Sequence, residues 1–387
     1  MSRLPVSTKP EVLKWARESI NKSPEEVAKA MQTSEKRIHE FESGSARPTF
    51  SQLLSLAKIY KRTAATLLLL SVPADAKPPR AFRKIYGVEE FDYSSETIVA
   101  IRRARWVQEK IAEFSQSEFK YPFRRITLDA DIDSSAAHLR NVLGITLKNQ
   151  FGWSGSSAAL SAWKQSIEQY GVYIVQQKMP VKEARAFSFV DKKPYIIVLN
   201  SSDADVGRIF SLMHEMAHIS LNLSGICHYD DLPSGSFLSA RIEKFCNAFA
   251  GSFLVPGDAL LEQSKAQRLI SLGEMDWDDD LNISLARKFK VSKQVILRRF
   301  LDLGHIKSNF YKGKVAQWDR EREELERTAE KVELRIPYPI RVVSANGRAY
   351  SNFVFEQLYN NRLTYSEASA YLGTSPKSLD GVEKLLR

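Results

Sequence analysis

Apolar positions in the first 71 residues recur at helical spacing and are interrupted at short intervals by capping residues. Val12, Leu13, Ala16 and Ile20 fall on one face of a helix over residues 11–20. Ser23-Pro24-Glu25-Glu26 is a capping box: the Ser23 hydroxyl can accept from the Glu26 amide, Glu26 can reach back, and Pro24 fits the first helical position. That helix runs through Val27, Ala28 and Met31. After Gln32-Thr33-Ser34 a third passes through Ile38, Phe41 and Glu42 and stops at Gly44. Thr49 caps a fourth, which carries Leu53, Leu56, Ala57 and Tyr60. Helix, short turn, helix and a glycine stop predict an all-α helix-turn-helix bundle.

The proline-dense stretch 72–80 predicts an extended connector. Beyond it, residues 95–114 read as a long amphipathic helix, with Ile98, Ile101, Trp106 and Ile111 inward and Arg102, Arg103 and Arg105 on a solvated face. The period then changes. Tyr173-Ile174-Val175, Ala186 to Val190 and Tyr195 to Leu199 are short β-rich runs, the last two joined by a turn at Asp191-Lys192-Lys193-Pro194. A helix follows through Ile209, Phe210, Leu212, Met213, Met216, Ala217 and Leu221. This pattern predicts a compact α+β unit, whose run Tyr195 to Leu199 could accept a peptide as an added strand. Downstream, Ile283 to Phe289, Lys290-Val291-Ser292 and Val295 to Leu301, ending at Gly304, repeat the helix-turn-helix pattern, with Lys293, Arg298 and Arg299 on the second helix. That segment is expected to pack against the α+β unit, with DNA binding as the alternative. Residues 318–335 read as an exposed charged helix and 353–386 as a final small helical module.

Inside the central helix lies His214-Glu215-Met216-Ala217-His218. Residues at i and i+4 stack on one helix face, so both imidazoles can reach one metal ion at about 2 Å. Glu215, about 100° round the helix, stands beside the metal, where it can take a proton from a water activated by zinc. Ser211 to Ser220 carries no charge except Glu215, as a buried active-site helix would. A catalytic zinc usually keeps three protein ligands. Leu221 and Ser224 stand where an extended HExxHxxGxxH motif needs glycine and histidine, so the third ligand lies elsewhere. His228, Asp230, Asp231, Glu243 and Asp258 are the candidates. Glu243 is favoured because it opens a stretch of small and aromatic residues suited to packing, where an acid is costly unless paired or metal-bound. His228 could donate to a developing oxyanion.

Composition narrows the setting. The 387 residues, 43% hydrophobic and 26% charged, suffice for two or three globular units and argue against global disorder. Two cysteines, Cys227 and Cys246, exclude a disulfide scaffold, and their separation excludes a CxxC knuckle. No apolar run is long enough for a bilayer and no secretory signal is visible, so a cytoplasmic protein with no membrane partner is expected. The net charge of +10 is concentrated at the two ends, which could attract phosphate backbones or an acidic protein.

Two resemblances gather these signs. Residues 8–70, with Pro24-Glu25-Glu26-Val27-Ala28, Ile38 to Gly44 and Arg47-Pro48-Thr49, resemble an XRE-type helix-turn-helix domain. The resemblance implies that Glu35, Lys36, Arg37 and His39 face DNA, with Glu35 and Glu40 placing acids where only a cytosine amino group could be read. Residues 160–260, in which HExxH is followed by Glu243, Cys246, Asn247, Phe249, Ala250 and then Phe253-Leu254-Val255-Pro256, resemble the ImmA/IrrE family of metallopeptidases. That resemblance implies a gluzincin-like α+β peptidase in which His214, His218 and Glu243 hold Zn2+ and Glu215 is the catalytic base. Cys246 departs from the family, which more often has alanine there.

The expected organisation is a helix-turn-helix over 1–71, linker and helix over 72–130, a zinc metallopeptidase core over 131–262, a second helix-turn-helix-like segment over 263–310 and a C-terminal helical module over 311–387. The expected function is a zinc-dependent endopeptidase that cuts a regulatory protein, such as a transcriptional repressor or antitoxin-like partner, in response to stress. Its fused helix-turn-helix, through DNA or otherwise, would target or regulate it. The competing reading is a DNA-binding transcriptional regulator whose zinc is structural or sensory, with no peptide cut.

Overall fold

The computed structural model describes residues 4–73, 93–115, 119–222, 237–328 and 336–387. The chain divides into two compact units, Met1–Arg103 with Lys178–Glu183, and Ala104–Gln177 with Ala184–Arg387.

In the first unit α1 (Pro10–Glu18), α2 (Pro24–Met31), α3 (Glu35–Ser43), α4 (Phe50–Ile59) and α5 (Ala64–Leu67) form the expected bundle. The boxes Ser23/Glu26 and Thr49/Gln52 both close, and Ser34 Oγ accepts the Arg37 amide at 3.3 Å, so three helix starts have partners for their orphan amides. Gly44 ends α3 at φ +81°, a left-handed conformation that suits glycine. Val12, Leu13, Ile20, Val27, Ile38 and Leu53 fill the core. Arg17 ties α1 to α3, donating from Nε to Glu42 Oε1 at 2.7 Å and from Nη2 to Glu42 Oε2 at 2.8 Å.

α6 (Ser95–Phe114) begins on Glu183, whose Oε2 accepts from the Ser94 amide at 3.0 Å and from Thr97 Oγ1 at 2.6 Å. Its arginines are not the solvated face expected. The Arg102 guanidinium nitrogens are buried without a hydrogen-bond partner among the described residues, and burial, with Arg62 nearby, lowers its pKa to about 10. Arg105 lies 3.7 Å over the Phe189 ring and donates to Asp191 at 2.6 Å. Long arginine stems pack like apolar side chains, and a pattern of hydrophobic letters does not count them.

In the second unit α7 (Ile132–Leu143), α8 (Leu147–Gly152) and α9 (Ser156–Glu168) precede a three-stranded sheet of β1 (Tyr173–Gln177), β2 (Ala186–Phe189) and β3 (Ile196–Asn200). The order is β1-β3-β2, with β1 parallel to β3 from Tyr173↔Ile196 and β2 antiparallel from Ala186↔Leu199. All five residues of β3 are buried. β3 is paired along both sides, so it cannot accept a peptide as an added strand, and that expectation fails. A continuous apolar run is what a central strand needs, and only the pairing shows which strand is central.

α10 (Asp205–Ser220) packs on β2 and β3, α11 (Phe237–Leu254) packs on α10, and α7 packs on α11. Trp163, Ile197, Leu212, Met213, Met216 and Phe249 belong to one core. α12 (Gly257–Leu261), α13 (Ser264–Leu272), α14 (Asp279–Phe289), α15 (Lys293–Asp302) and α16 (Ser308–Thr328) continue it. Ile296, Leu297 and Phe300 of α15 join the same core, so this second helix-turn-helix packs as expected. The charged helix expected over 318–335 starts earlier, as α16, and residues 329–335 lie outside the described residues.

Of the C-terminal helices, α17 (Tyr338–Asn346) and α18 (Arg348–Tyr359) dock beside β1, where Gln176 Nε2 donates to Ser344 O at 2.8 Å, while α19 (Tyr365–Leu372) packs on α18 and α20 (Leu379–Lys384) on α17. Gly347, at φ +76°, makes that approach possible: a Cβ there would collide with Ile174 O. The architecture is α+β, with a helical bundle before the sheet unit and helices after it.

Candidate metal centre

The buried half of α10 carries the motif. Met213, Met216 and Ala217 are fully buried, which turns His214 and His218 together toward α11. His218 Nε2 lies 3.1 Å from His214 Nε2. From α11, Glu243 Oε2 comes within 3.2 Å of His214 Nε2 and Oε1 within 3.5 Å of His218 Nε2. A tetrahedral ion with bonds of about 2 Å holds its donors roughly 3.3 Å apart. The three side chains therefore stand at the spacing a zinc-sized cation requires, and the donor set fits it.

The charges of the cluster reinforce one another. Burial opposes ionisation of Glu243, yet hydrogen bonds from His214 and His218 hold its carboxyl down at about 2. Burial likewise opposes a charged His214, but its hydrogen bond to Glu243 and the charge of Glu215 raise it above the ordinary imidazole value.

Glu215 is 4% exposed and points to the sheet, where Ser188 Oγ of β2 donates to Glu215 Oε2 at 2.6 Å. Asn247, one helical turn past Glu243, puts Oδ1 3.1 Å from His214 Nδ1. A proton shared there leaves the Nε2 lone pair for a metal, the usual role of an outer partner to a ligating histidine. Neither Ser188 nor Asn247 has a role that the sequence pattern alone gives. Asn247 had a signal, since i and i+4 share a face, whereas Ser188 is one polar residue in an apolar strand. Cys246 is fully buried on α11, its thiol pushed well up by burial and then by the charges of Glu243 and Glu215. The ligand atoms of His214, His218 and Cys246 all lie within 4.8 Å of one another.

Of the other candidate ligands, Asp258 is exposed in the first turn of α12, and His228, Asp230 and Asp231 lie outside the described residues. On α3, Lys36 and His39 are exposed. Arg37 is balanced within the helix by Glu40 at 2.8 Å, and the His39 ring lies 3.4 Å from Glu35. No helix among the described residues is long and apolar enough to cross a membrane.

Residues 167–301 match the model of a peptidase family described as the IrrE N-terminal-like domain, and residues 11–70 match a helix-turn-helix domain. No curated protein matches the chain. The first match points to metallopeptidase chemistry and covers His214, Glu215, His218 and Glu243; the second points to DNA binding and covers α1 to α5. Residues 167–301 are thus similar to an IrrE N-terminal-like peptidase domain and residues 11–70 to a helix-turn-helix domain, matching the two resemblances that the sequence motifs carry.

Proposed function

We propose that the chain is a cytoplasmic zinc endopeptidase that cuts a regulatory protein, a repressor or antitoxin-like partner, under the control of its helix-turn-helix. The organisation proposed is a helix-turn-helix over 1–71, a linker and helix over 72–130, the peptidase core over 131–262, a packing segment over 263–310 and a C-terminal helical module over 311–387. One observation carries the reading. A buried carboxylate, Glu215, stands beside a converging His214, His218 and Glu243 set, and a purely structural site has no use for it. Zinc, when bound, acts as a Lewis acid toward the scissile carbonyl and an attacking water. Asn247 orients His214, and Ser188 holds Oε2 of Glu215. Oε1 is then the atom that takes the proton of the water and passes it to the leaving amine. On α3, Lys36, Arg37 and His39 are the proposed DNA-facing cations.

A second reading, a DNA-binding regulator with a structural or sensory zinc, draws on the nearness of Cys246 to the histidines. Elemental analysis and cleavage separate the two. The purified chain should hold about one zinc, and His218→Ala and Glu243→Ala should lose it. Glu215→Gln should keep the zinc and lose about 10²–10⁴-fold in cleavage. Labelling of new N-termini in a host lysate reads this out. A folded chain that keeps no metal after loading and dialysis overturns the proposal. Zinc held without new N-termini above the Glu215→Gln background transfers it to the regulator.

pH supplies a further check on the metal-free chain. Glu243, at about 2 against an ordinary 4.5, contributes stability above pH 4.5 that is lost as pH falls toward 2. His214, raised above 6.5, contributes below pH 6.5 and loses its contribution as pH rises through the raised value. The cluster therefore stabilises the metal-free fold most between 4.5 and 6.5. Urea midpoints across pH should show that maximum flattened in Glu243→Gln.

A further inference from the structure

Four donor side chains converge between α10 and α11, and hydrolysis as proposed uses three of them as ligands. Glu243 and Cys246 are three residues apart on α11, hence on one face, and that face meets His214 and His218. The two imidazole Nε2 atoms stand 3.1 Å apart, and the Glu243 carboxylate faces both, Oε2 at 3.2 Å from His214 and Oε1 at 3.5 Å from His218. The sulfur lies within 4.8 Å of a ring nitrogen of each histidine. In a closed tetrahedral site with bonds of about 2.0 Å to nitrogen and 2.3 Å to sulfur, a sulfur–nitrogen edge is roughly 3.5 Å. At the 4.8 Å limit, Cys246 is about an ångström from a ligating position, a distance that a change of side-chain torsion or a small slide of α11 covers.

Structural zinc sites present four protein donors, and catalytic ones present three and leave a place for water. A set of two imidazoles, a carboxylate and a thiol can do either, depending on whether the sulfur is in or out. A buried thiol is ordinarily an inert core group. This one is set apart by its position, with two histidines and a glutamate gathered around the same point.

We propose that Cys246 is a reversible fourth ligand, whose sulfur closes the coordination place that water or a substrate carbonyl needs and so holds the metal-loaded chain latent. The proposal rests on His214, His218 and Glu243 holding the metal. On closure the Cys246 S–H bond breaks, the sulfur–metal bond forms and the proton leaves to solvent. No electron is transferred. Opening is the reverse and needs only a competing oxygen ligand and one proton. The latent state is thus an equilibrium that an incoming substrate shifts.

Cobalt(II) substitution of the full chain tests this without any knowledge of the substrate. Thiolate ligation gives a near-ultraviolet sulfur-to-cobalt charge-transfer band, and tetrahedral binding by any donors gives visible d–d bands. The two cysteines, Cys227 and Cys246, are told apart by Cys227→Ala, Cys246→Ala and Cys246→Ser. The expected result is both features in the unaltered chain and in Cys227→Ala. Both Cys246 variants should lose the charge-transfer band and keep the d–d bands. Should neither Cys246 variant fold, X-ray absorption of zinc-loaded Cys227→Ala decides instead: a zinc–sulfur shell at about 2.3 Å supports the proposal, and its absence overturns it. Visible bands without the charge-transfer band in the unaltered chain overturn the proposal and leave the three-ligand centre standing. So does a band that follows Cys227 instead. No cobalt bands in any form overturn the metal centre itself.

Discussion

The two helix-turn-helix segments share a local grammar and meet opposite fates. In each, the first helix ends on a residue in the left-handed region, Gln32 at φ 54° or Lys290 at φ 58°. In each, a serine two residues later caps the second helix, Ser34 accepting the Arg37 amide and Ser292 the Val295 amide, both at 3.3 Å. Beyond the cap they diverge. α3 buries Ile38 and Phe41 and leaves Glu35, Lys36 and His39 exposed. α15 buries Val295, Ile296, Leu297, Arg299 and Phe300 in the core of the second unit. Its remaining cations are occupied: Arg298 donates to Asp302 at 2.8 Å, and Lys293 lies 4.4 Å over the Trp318 ring. The turn specifies how two helices connect. How much of the second helix is apolar decides whether it reads a partner or becomes a wall of the core.

The largest effect should come from the buried tie of the first segment. Arg17 and Glu42 have side chains 9% and 7% exposed, so Glu42→Ala takes the bidentate partner from a buried guanidinium and leaves it Lys22 O at 2.8 Å and Glu18 at 3.5 Å. Removing one partner of such a pair costs about 3–5 kcal/mol. Urea unfolding followed by circular dichroism should show that loss, and a cost under about 1 kcal/mol would mean that the pair does not hold α1 to α3.

In the second segment the matching tie is Arg299, 3% exposed, which donates to Val255 O at 2.9 Å and to Asp133 Oδ1 at 3.0 Å. Arg299→Met keeps much of the volume and leaves the buried carbonyl unpaired, for about 2–3 kcal/mol. Its neighbour Arg298, on the outer side, should change stability by no more than about 0.5 kcal/mol when replaced by alanine. Equal costs at 298 and 299 would undo the assignment of α15 to the core.

The same contrast explains what the sequence reveals. Capping boxes, the glycine stop and the i, i+4 histidines depend on neighbours within one turn, so the bundle and half of the metal centre are legible in the letters. Glu243 is legible for another reason: an acid in an apolar helical stretch demands a partner. Ser188 is not, because a polar residue in a strand ordinarily marks the solvent side, and only the packing of α10 on β2 brings it to Glu215. The central place of β3, the burial of the Arg102 guanidinium and the packing of Arg105 on Phe189 are likewise set by neighbours distant in sequence. Gly347 reads as an ordinary turn glycine until β1 is seen against it.

The smallest effect on stability should be the most informative about function. Lys36 is exposed on α3, and Lys293 is held against Trp318 on α15. If α3 is the helix that meets DNA, Lys36→Glu should weaken binding to any duplex and reduce the slope of log affinity against log salt by about 1, the signature of one lost phosphate contact. Lys293→Glu carries the same change of charge and should leave that slope unaltered, because its ammonium already has an aromatic face and a carboxylate 3.9 Å away on Glu321. Fluorescence anisotropy with a labelled duplex at several salt concentrations measures both. If the two variants shift equally, DNA feels only the net charge of the chain, and the distinction between a reading helix and a packing helix fails. If Lys293→Glu alone shifts the slope, the functional helix is α15, and the N-terminal bundle is a docking module that keeps the fold without the reading.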